Sequence, residues 1–315
     1  MLLGHAPITP NPPLDDVHLA ISPTCGVLQR GSLPTDINVG INPHNIRTIV
    51  SFGDSYTDAG KADGSALDPA VICPPNQLAG GRSTNGPVWA EGVASEMNNA
   101  TLLSYAQAGA CIDLSIWPSN PRKLDLLMQM EVFLGQEREL DPVTTLYSLF
   151  FGINDFGDSK HDGDHMEEAA AVLLIQVRRL IASPTNARNF LVLDVYGQGE
   201  HAERGERFKQ VIYDGLVDMH ATVPIQFAYV DFGHIWDGVL GPVPGYQAFG
   251  FTSMDQCTSC SHICDENGWC TDPDRHFYWF WGHPSKVTHK LMADYVMEVL
   301  ENCHVQTETV LRVQG

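Results

Sequence analysis

The chain has 315 residues, 43% of them hydrophobic, enough to bury a full core. Its 38 acidic against 18 basic residues give a formal charge of -20, which repels phosphate backbones and anionic membrane surfaces and so disfavours nucleic-acid binding. No stretch reaches the roughly 18 consecutive apolar residues that a bilayer span requires.

Residues 1–44 are rich in proline, asparagine and glycine and poor in apolar periodicity. They read as an N-terminal extension, a strap or partly disordered lead-in, to one domain over 45–315. The opening "MLLGHAPITP" lacks the basic region and the apolar run of about 7 or more residues of a secretory signal. The eight cysteines, four of them inside "CTSCSHICDENGWC" (257–270), point to disulfides. A secreted protein whose signal is absent from this sequence is therefore expected.

Short apolar runs then alternate with longer amphipathic ones, the pattern of a parallel sheet covered by helices on both faces. Strands are expected at 47–53, 101–106, 144–152, 189–196 and 225–232, and helices at 87–97, 123–139, 165–183, 206–220 and 285–302. Pro87 suits a first helical position, and Ser285 suits the cap of the last helix. Asn99, in "NAT", is a glycosylation acceptor by pattern.

Ligands of an open parallel sheet sit beyond the carboxyl ends of its strands, so the residues just past those runs carry the functional expectation. The first strand runs into "FGDSYTDAG" (52–60), which exposes the hydroxyl and backbone N–H of Ser55 at that edge. The second runs into "AQAGACI", where Gly109 presents a bare backbone N–H, and the third into "FGINDFGD", where Asn154 brings a side-chain amide. Each alone also reads as an ordinary turn. Together they suggest acyl transfer, with Ser55 as nucleophile and an oxyanion hole made by the N–H groups of Ser55 and Gly109 and the amide of Asn154. His283, after the last apolar run and before the last helix, supplies the proton acceptor.

The blocks "FGDSYTD", "SYAQAGA", "GIND" and "HPS", in that order, resemble those of the SGNH or GDSL hydrolase superfamily from about residue 47 to 300. The segments "GRSTNGPVWAEGVA" (81–94) and "DPDRHFYWFWGHPS" (272–285) further resemble fungal acetyl esterases of carbohydrate esterase family sixteen. The resemblance implies a three-layer α/β/α sandwich with a five-stranded parallel sheet in flavodoxin-like order. It assigns Ser55 as nucleophile, Gly109 and Asn154 as oxyanion donors and His283 as base, and implies no metal or other cofactor. The substrate class it implies is a small-molecule or oligosaccharide ester.

One position departs from the superfamily pattern. An aspartate usually stands three residues before the histidine, and here that residue is Phe280. Three readings follow. A backbone carbonyl near 279–281 accepts the Nδ1 proton and a Ser–His dyad operates; a carboxylate reaches in from elsewhere, with Asp272 and Asp274 nearest in sequence; or the site is inactive and the domain binds carbohydrate. We expect the dyad, in an esterase acting on acetyl esters of carbohydrates, with a lipase or phospholipase of the same superfamily as the competing activity.

Cys257, Cys260, Cys264 and Cys270, with His262 among them, are too irregularly spaced for a structural zinc site. By the same resemblance a small loop closed by Cys264 and Cys270 is expected before the histidine block. "FYWFW" (277–281) is expected to pack under the catalytic loop, with Trp281 the ring to face a substrate if one does. His289 is expected on the surface of the last helix.

Overall fold

The computed structural model describes residues 16–71, 79–259 and 269–305. The chain enters through β1 (Ile37–Val39) and β2 (Thr48–Gly53), then α1 (Trp89–Glu96), β3 (Thr101–Ser104), α2 (Leu126–Gly135), β4 (Thr145–Phe150), α3 (Ile153–Asp162) and α4 (Met166–Ile181). It continues through β5 (Asn189–Asp194), α5 (Glu203–Thr222), β6 (Gln226–Asp231), α6 (Gly233–Leu240), β7 (Ser253–Gln256), β8 (His276–Phe280), β9 (His283–Pro284) and α7 (Lys286–Asn302).

The sheet runs β1-β6-β5-β4-β2-β3. Its five strands from β2 to β6 are mutually parallel, in the expected flavodoxin-like order, and β1 adds a sixth, antiparallel strand along β6. The lead-in thus contributes to the sheet through residues 37–39. Cys25 bonds Cys303 across 278 residues, a closure that restricts the unfolded chain by an amount on the order of 5 kcal/mol in the loop-entropy account.

β4 and β5 are buried along their whole length because helices cover both faces. Alternation assigns their side chains: Tyr147, Leu149, Phe190 and Val192 meet α2 to α5, whereas Leu146, Phe150, Leu191 and Leu193 meet α1, α6 and α7. Each buried side chain of this size contributes roughly 1.5–3 kcal/mol. The result is a three-layer α/β/α sandwich.

Several elements differ from the expectation. α1 starts at Trp89, so Pro87 lies just outside it, and Glu91 caps the helix by accepting from the Val88 N–H at 2.9 Å. Helices α3 and α6 were not expected. Ser285 does cap α7, accepting from the Thr288 N–H. His289 is buried rather than on the surface, with its Nδ1 accepting from the Trp89 N–H at 3.2 Å. Cys270 bonds Cys257 instead of Cys264; Cys260, His262 and Cys264 lie outside the described residues. That disulfide packs with Trp279 and Phe280 in a small cluster beneath β8.

Candidate active site

At the carboxyl edge of β2 the chain makes a tight turn. A Cβ on Gly53 would meet the Thr57 side chain at 2.7 Å and the Phe150 carbonyl at 3.0 Å, so only glycine fits. Gln129 of α2 fixes both polar groups of Gly53, accepting from its N–H at 3.0 Å and donating to its carbonyl at 2.8 Å. Asp54 then closes the turn by accepting from the Tyr56 N–H at 2.9 Å, which leaves Ser55 at the apex, part-exposed.

The loop after β3 is brought alongside by two carboxylates. Asp58 accepts from the Ala108 N–H at 2.9 Å, and Asp155, on α3, accepts from the Ile112 N–H at 2.9 Å and the Trp117 indole at 2.6 Å. Gly109 between them has φ +88°, open to glycine at little cost, and the Arg122 side chain lies directly over it. Among the described residues, the backbone N–H groups of Ser55 and Gly109 bond no protein acceptor.

Asn154 lies in the first turn of α3, after Gly152 at φ +125°. Its Nδ2 donates to the Ala110 carbonyl at 2.9 Å and contacts Asp54 Oδ2 at 3.3 Å, so it sits between the residue after Gly109 and the residue before Ser55. An amide nitrogen has two hydrogens. The first is held at normal length, and the second rests on a contact long enough for an oxyanion to displace. Burial pushes the Asp54 carboxyl up to about 7, so in mildly acidic solution the group beside these donors is neutral.

His283 meets this edge from the other end of the sequence. Its Nε2 lies 2.9 Å from Ser55 Oγ, and its Nδ1 lies 3.0 Å from the Trp281 carbonyl oxygen. A carbonyl oxygen only accepts, so Nδ1 carries the proton and Nε2 has its lone pair toward the serine. The structure therefore brings Ser55, Gly109, Asn154 and His283 to one edge. Burial holds the imidazole below its ordinary 6.5, outweighing the opposing backbone bonds to Trp281 and Phe280.

A family profile described as GDSL-like Lipase/Acylhydrolase matches residues 49–296, well over half of the chain. The chain belongs to that family. It is similar to the thermolabile hemolysin of Vibrio parahaemolyticus, at 20% identity over 84% of this chain and 66% of the hemolysin, just under two thirds of that relative's length. Among solved structures it is similar to LAE5, an alpha/beta hydrolase enzyme from the metagenome of Lake Arreo, Spain, with TM-score 0.46 and 16% identity over 82% of this chain and 95% of that one. It is also similar to the acetyl xylan esterase AlAXEase, with TM-score 0.40 and 14% identity over 80% of this chain and 99% of that one.

In this GDSL-family chain Phe280 is 5% exposed and stacks on His283, with ring centroids 4.6 Å apart and planes 20° from parallel. It covers a face of the imidazole, whereas an acceptor for Nδ1 must lie near the ring plane. That in-plane place is filled by the Trp281 carbonyl. Asp272 is exposed and Asp274 pairs with Lys286 at 2.9 Å, so neither is placed as a substitute acid. Phe280→Asp is accordingly expected to lower kcat/KM roughly tenfold, because stacking is worth about 1 kcal/mol and the proton is already held. A gain in rate on p-nitrophenyl acetate would show that the carboxylate is still wanted.

Several supporting residues lie in the 81–94 segment, to which the sequence assigned a resemblance but no role. Thr84 donates to the Pro284 carbonyl at 2.8 Å, and Asn85 accepts from the Lys286 N–H at 2.8 Å, so the 81–86 segment grips the start of α7 on either side of Ser285. That segment is itself anchored by buried Arg82, whose Nε and Nη2 each donate to Glu91 at 2.7 Å. Of the aromatic run, Phe277, Trp279 and Phe280 are buried as expected, whereas Trp281 is 75% exposed at the tip of the β8–β9 hairpin.

Proposed function

We propose that the chain is a serine esterase removing small acyl groups, above all acetyl, from carbohydrates, close in specificity to the fungal acetyl esterases of carbohydrate esterase family sixteen. The observation that carries the catalytic part is the pair of contacts on one imidazole, Ser55 Oγ at Nε2 and a backbone carbonyl at Nδ1. Ser55 Oγ attacks the ester carbonyl as its proton passes to His283 Nε2. The oxyanion takes hydrogen bonds from the N–H groups of Ser55 and Gly109 and from Asn154 Nδ2. His283 hands its proton to the departing alcohol, then draws one from water as the acyl-enzyme is hydrolysed. These steps use the chain's own groups throughout. The Trp281 carbonyl fixes the tautomer and gives partial support to the imidazolium.

The carbohydrate reading is supported by the exposed Trp281 ring, two residues from the base, which offers a flat apolar face to a sugar. The two disulfides support a place in an oxidising compartment, in keeping with secretion. The test gives purified protein p-nitrophenyl acetate, p-nitrophenyl palmitate and an acetylated xylo-oligosaccharide, with Ser55→Ala as control. Acetate release that vanishes in the variant supports the proposal. Preference for palmitate would replace it by a lipase reading, and carbohydrate binding without turnover would replace it by a binding domain.

A further inference from the structure

His283 follows a two-residue turn, Trp281–Gly282, that joins β8 to β9. Both turn residues have positive φ, +32° and +66°, the arrangement of a type I′ hairpin turn. Glycine accepts this freely, whereas tryptophan is strained there. The peptide unit between these two residues carries the Trp281 carbonyl. Such a central unit can rotate, exchanging one turn type for another, and that rotation would swing the carbonyl away from His283 Nδ1.

The units on either side are held. Before the turn, the Trp281 N–H donates to Gln256 Oε1 at 3.1 Å. After it, the Gly282 carbonyl receives two donors, the Tyr56 hydroxyl and Gln198 Nε2, the latter at 3.0 Å, and Gln198 Nε2 also donates to the Tyr56 hydroxyl. Tyr56 comes from the nucleophile turn and Gln198 from the loop after β5, so the two converge from separate elements. Gln198 itself has φ +50°, an unfavourable backbone for a residue with a side chain. A Cβ on Gly282 would come within 3.3 Å of its amide, so the glycine admits this close approach.

We propose that Tyr56 and Gln198 are positioning residues that, through the Gly282 carbonyl, hold the turn in the one conformation that aims the Trp281 carbonyl at His283 Nδ1. Between them they do for the imidazole what an aspartate at 280 does elsewhere in the superfamily. The proposal rests on the Ser55–His283 reading above. Among the described residues, the rings packed against His283 and Tyr56 carry no charge in the neutral range. Tyr56 stays a phenol because burial holds it well above 10, as burial also holds Tyr278 behind it up to about 12; buried His289, on α7, is held down to about 3; Phe280 is apolar.

The experiment compares Tyr56→Phe, Gln198→Leu and the double variant with the parent protein. It reads kcat/KM against pH on p-nitrophenyl acetate, and the tautomer and titration of His283 by 15N-imidazole NMR. Each single variant is expected to lose about tenfold in kcat, the worth of one hydrogen bond to a positioned group. The double variant is expected to lose little more, because both act on one carbonyl. The acid limb is expected to move to lower pH, since the Trp281 carbonyl opposes the effect of burial on His283 and its loss leaves that effect less opposed. The NMR signals are expected to change from the Nδ1–H form to a mixture. Rates that fall with limb and tautomer unchanged would reduce these contacts to structural ones and overturn the proposal, as would no change at all. If Ser55→Ala were as active as the parent, the esterase reading would fail, while the NMR comparison would still decide the clamp.

Discussion

Ser55→Ala is expected to abolish turnover of p-nitrophenyl acetate, with kcat falling by about four to six orders of magnitude. On the proposed mechanism the Ser55 hydroxyl at the apex of the β2 turn forms the acyl bond and the imidazole 2.9 Å away takes its proton. His283→Ala is expected to cost about as much. The double variant is expected to be no worse than either, because the two side chains act as one device and removing either leaves only the oxyanion donors and substrate binding. The part-exposed position of Ser55 makes its substitution harmless to folding, so unchanged circular dichroism and thermal midpoint should accompany the loss. A variant that kept a tenth of the parent's kcat would place the chemistry elsewhere.

Asn154→Ala is expected to lower kcat by about 10² to 10³ with little change in KM. Its Nδ2 lies between Ala110 and Asp54; on the proposed mechanism the oxyanion forms there, and a donor is worth more to the developing charge than to the bound ester. The N-terminus of α3 is set by Gly152 rather than by Asn154, so the helix should survive the change. Asn154→Asp should be worse than alanine in neutral solution, because it puts a second acid beside Asp54 and a charge where charge develops. Stopped-flow or steady-state assay of both variants checks the order. A rise in KM alone, with kcat intact, would make Asn154 a substrate contact instead of an oxyanion donor.

The central sheet was legible because burial on both faces leaves strands that are apolar throughout, as in "TTLYSLFFG" and "NFLVLDVY". The meeting of the four candidate residues at one edge was legible because each stands just past such a strand or just before the last helix. α3 was hidden because "INDFGDSKHD" is mostly polar: Ile153 and Phe156 are too few to mark an apolar face, and its buried side recruits Asp155, Asp158 and Ser159. α6 is two turns long and begins and nearly ends in glycine. His289 was misplaced since helical spacing alone does not say that a polar side chain belongs on the buried face, against Trp89. The disulfide was misassigned because its pairing was carried over from the family resemblance, whereas the partner of Cys270 follows from the pairing of residue 258 with residue 269 beside it. The hold on His283 was the least legible feature. Phe280 signals only that an acid is missing, and the contacts that compensate join residues 84, 142 and 226 positions apart.

Covalent labelling with a fluorophosphonate tests the central claim most directly, because the reagent reacts only with a serine whose proton is being withdrawn by a neighbouring base. The account predicts one adduct per chain, mapped by peptide mass to Ser55 and lost in His283→Ala, with Phe280 unchanged and no carboxylate introduced. An unlabelled protein, or a label on another residue, would contradict it.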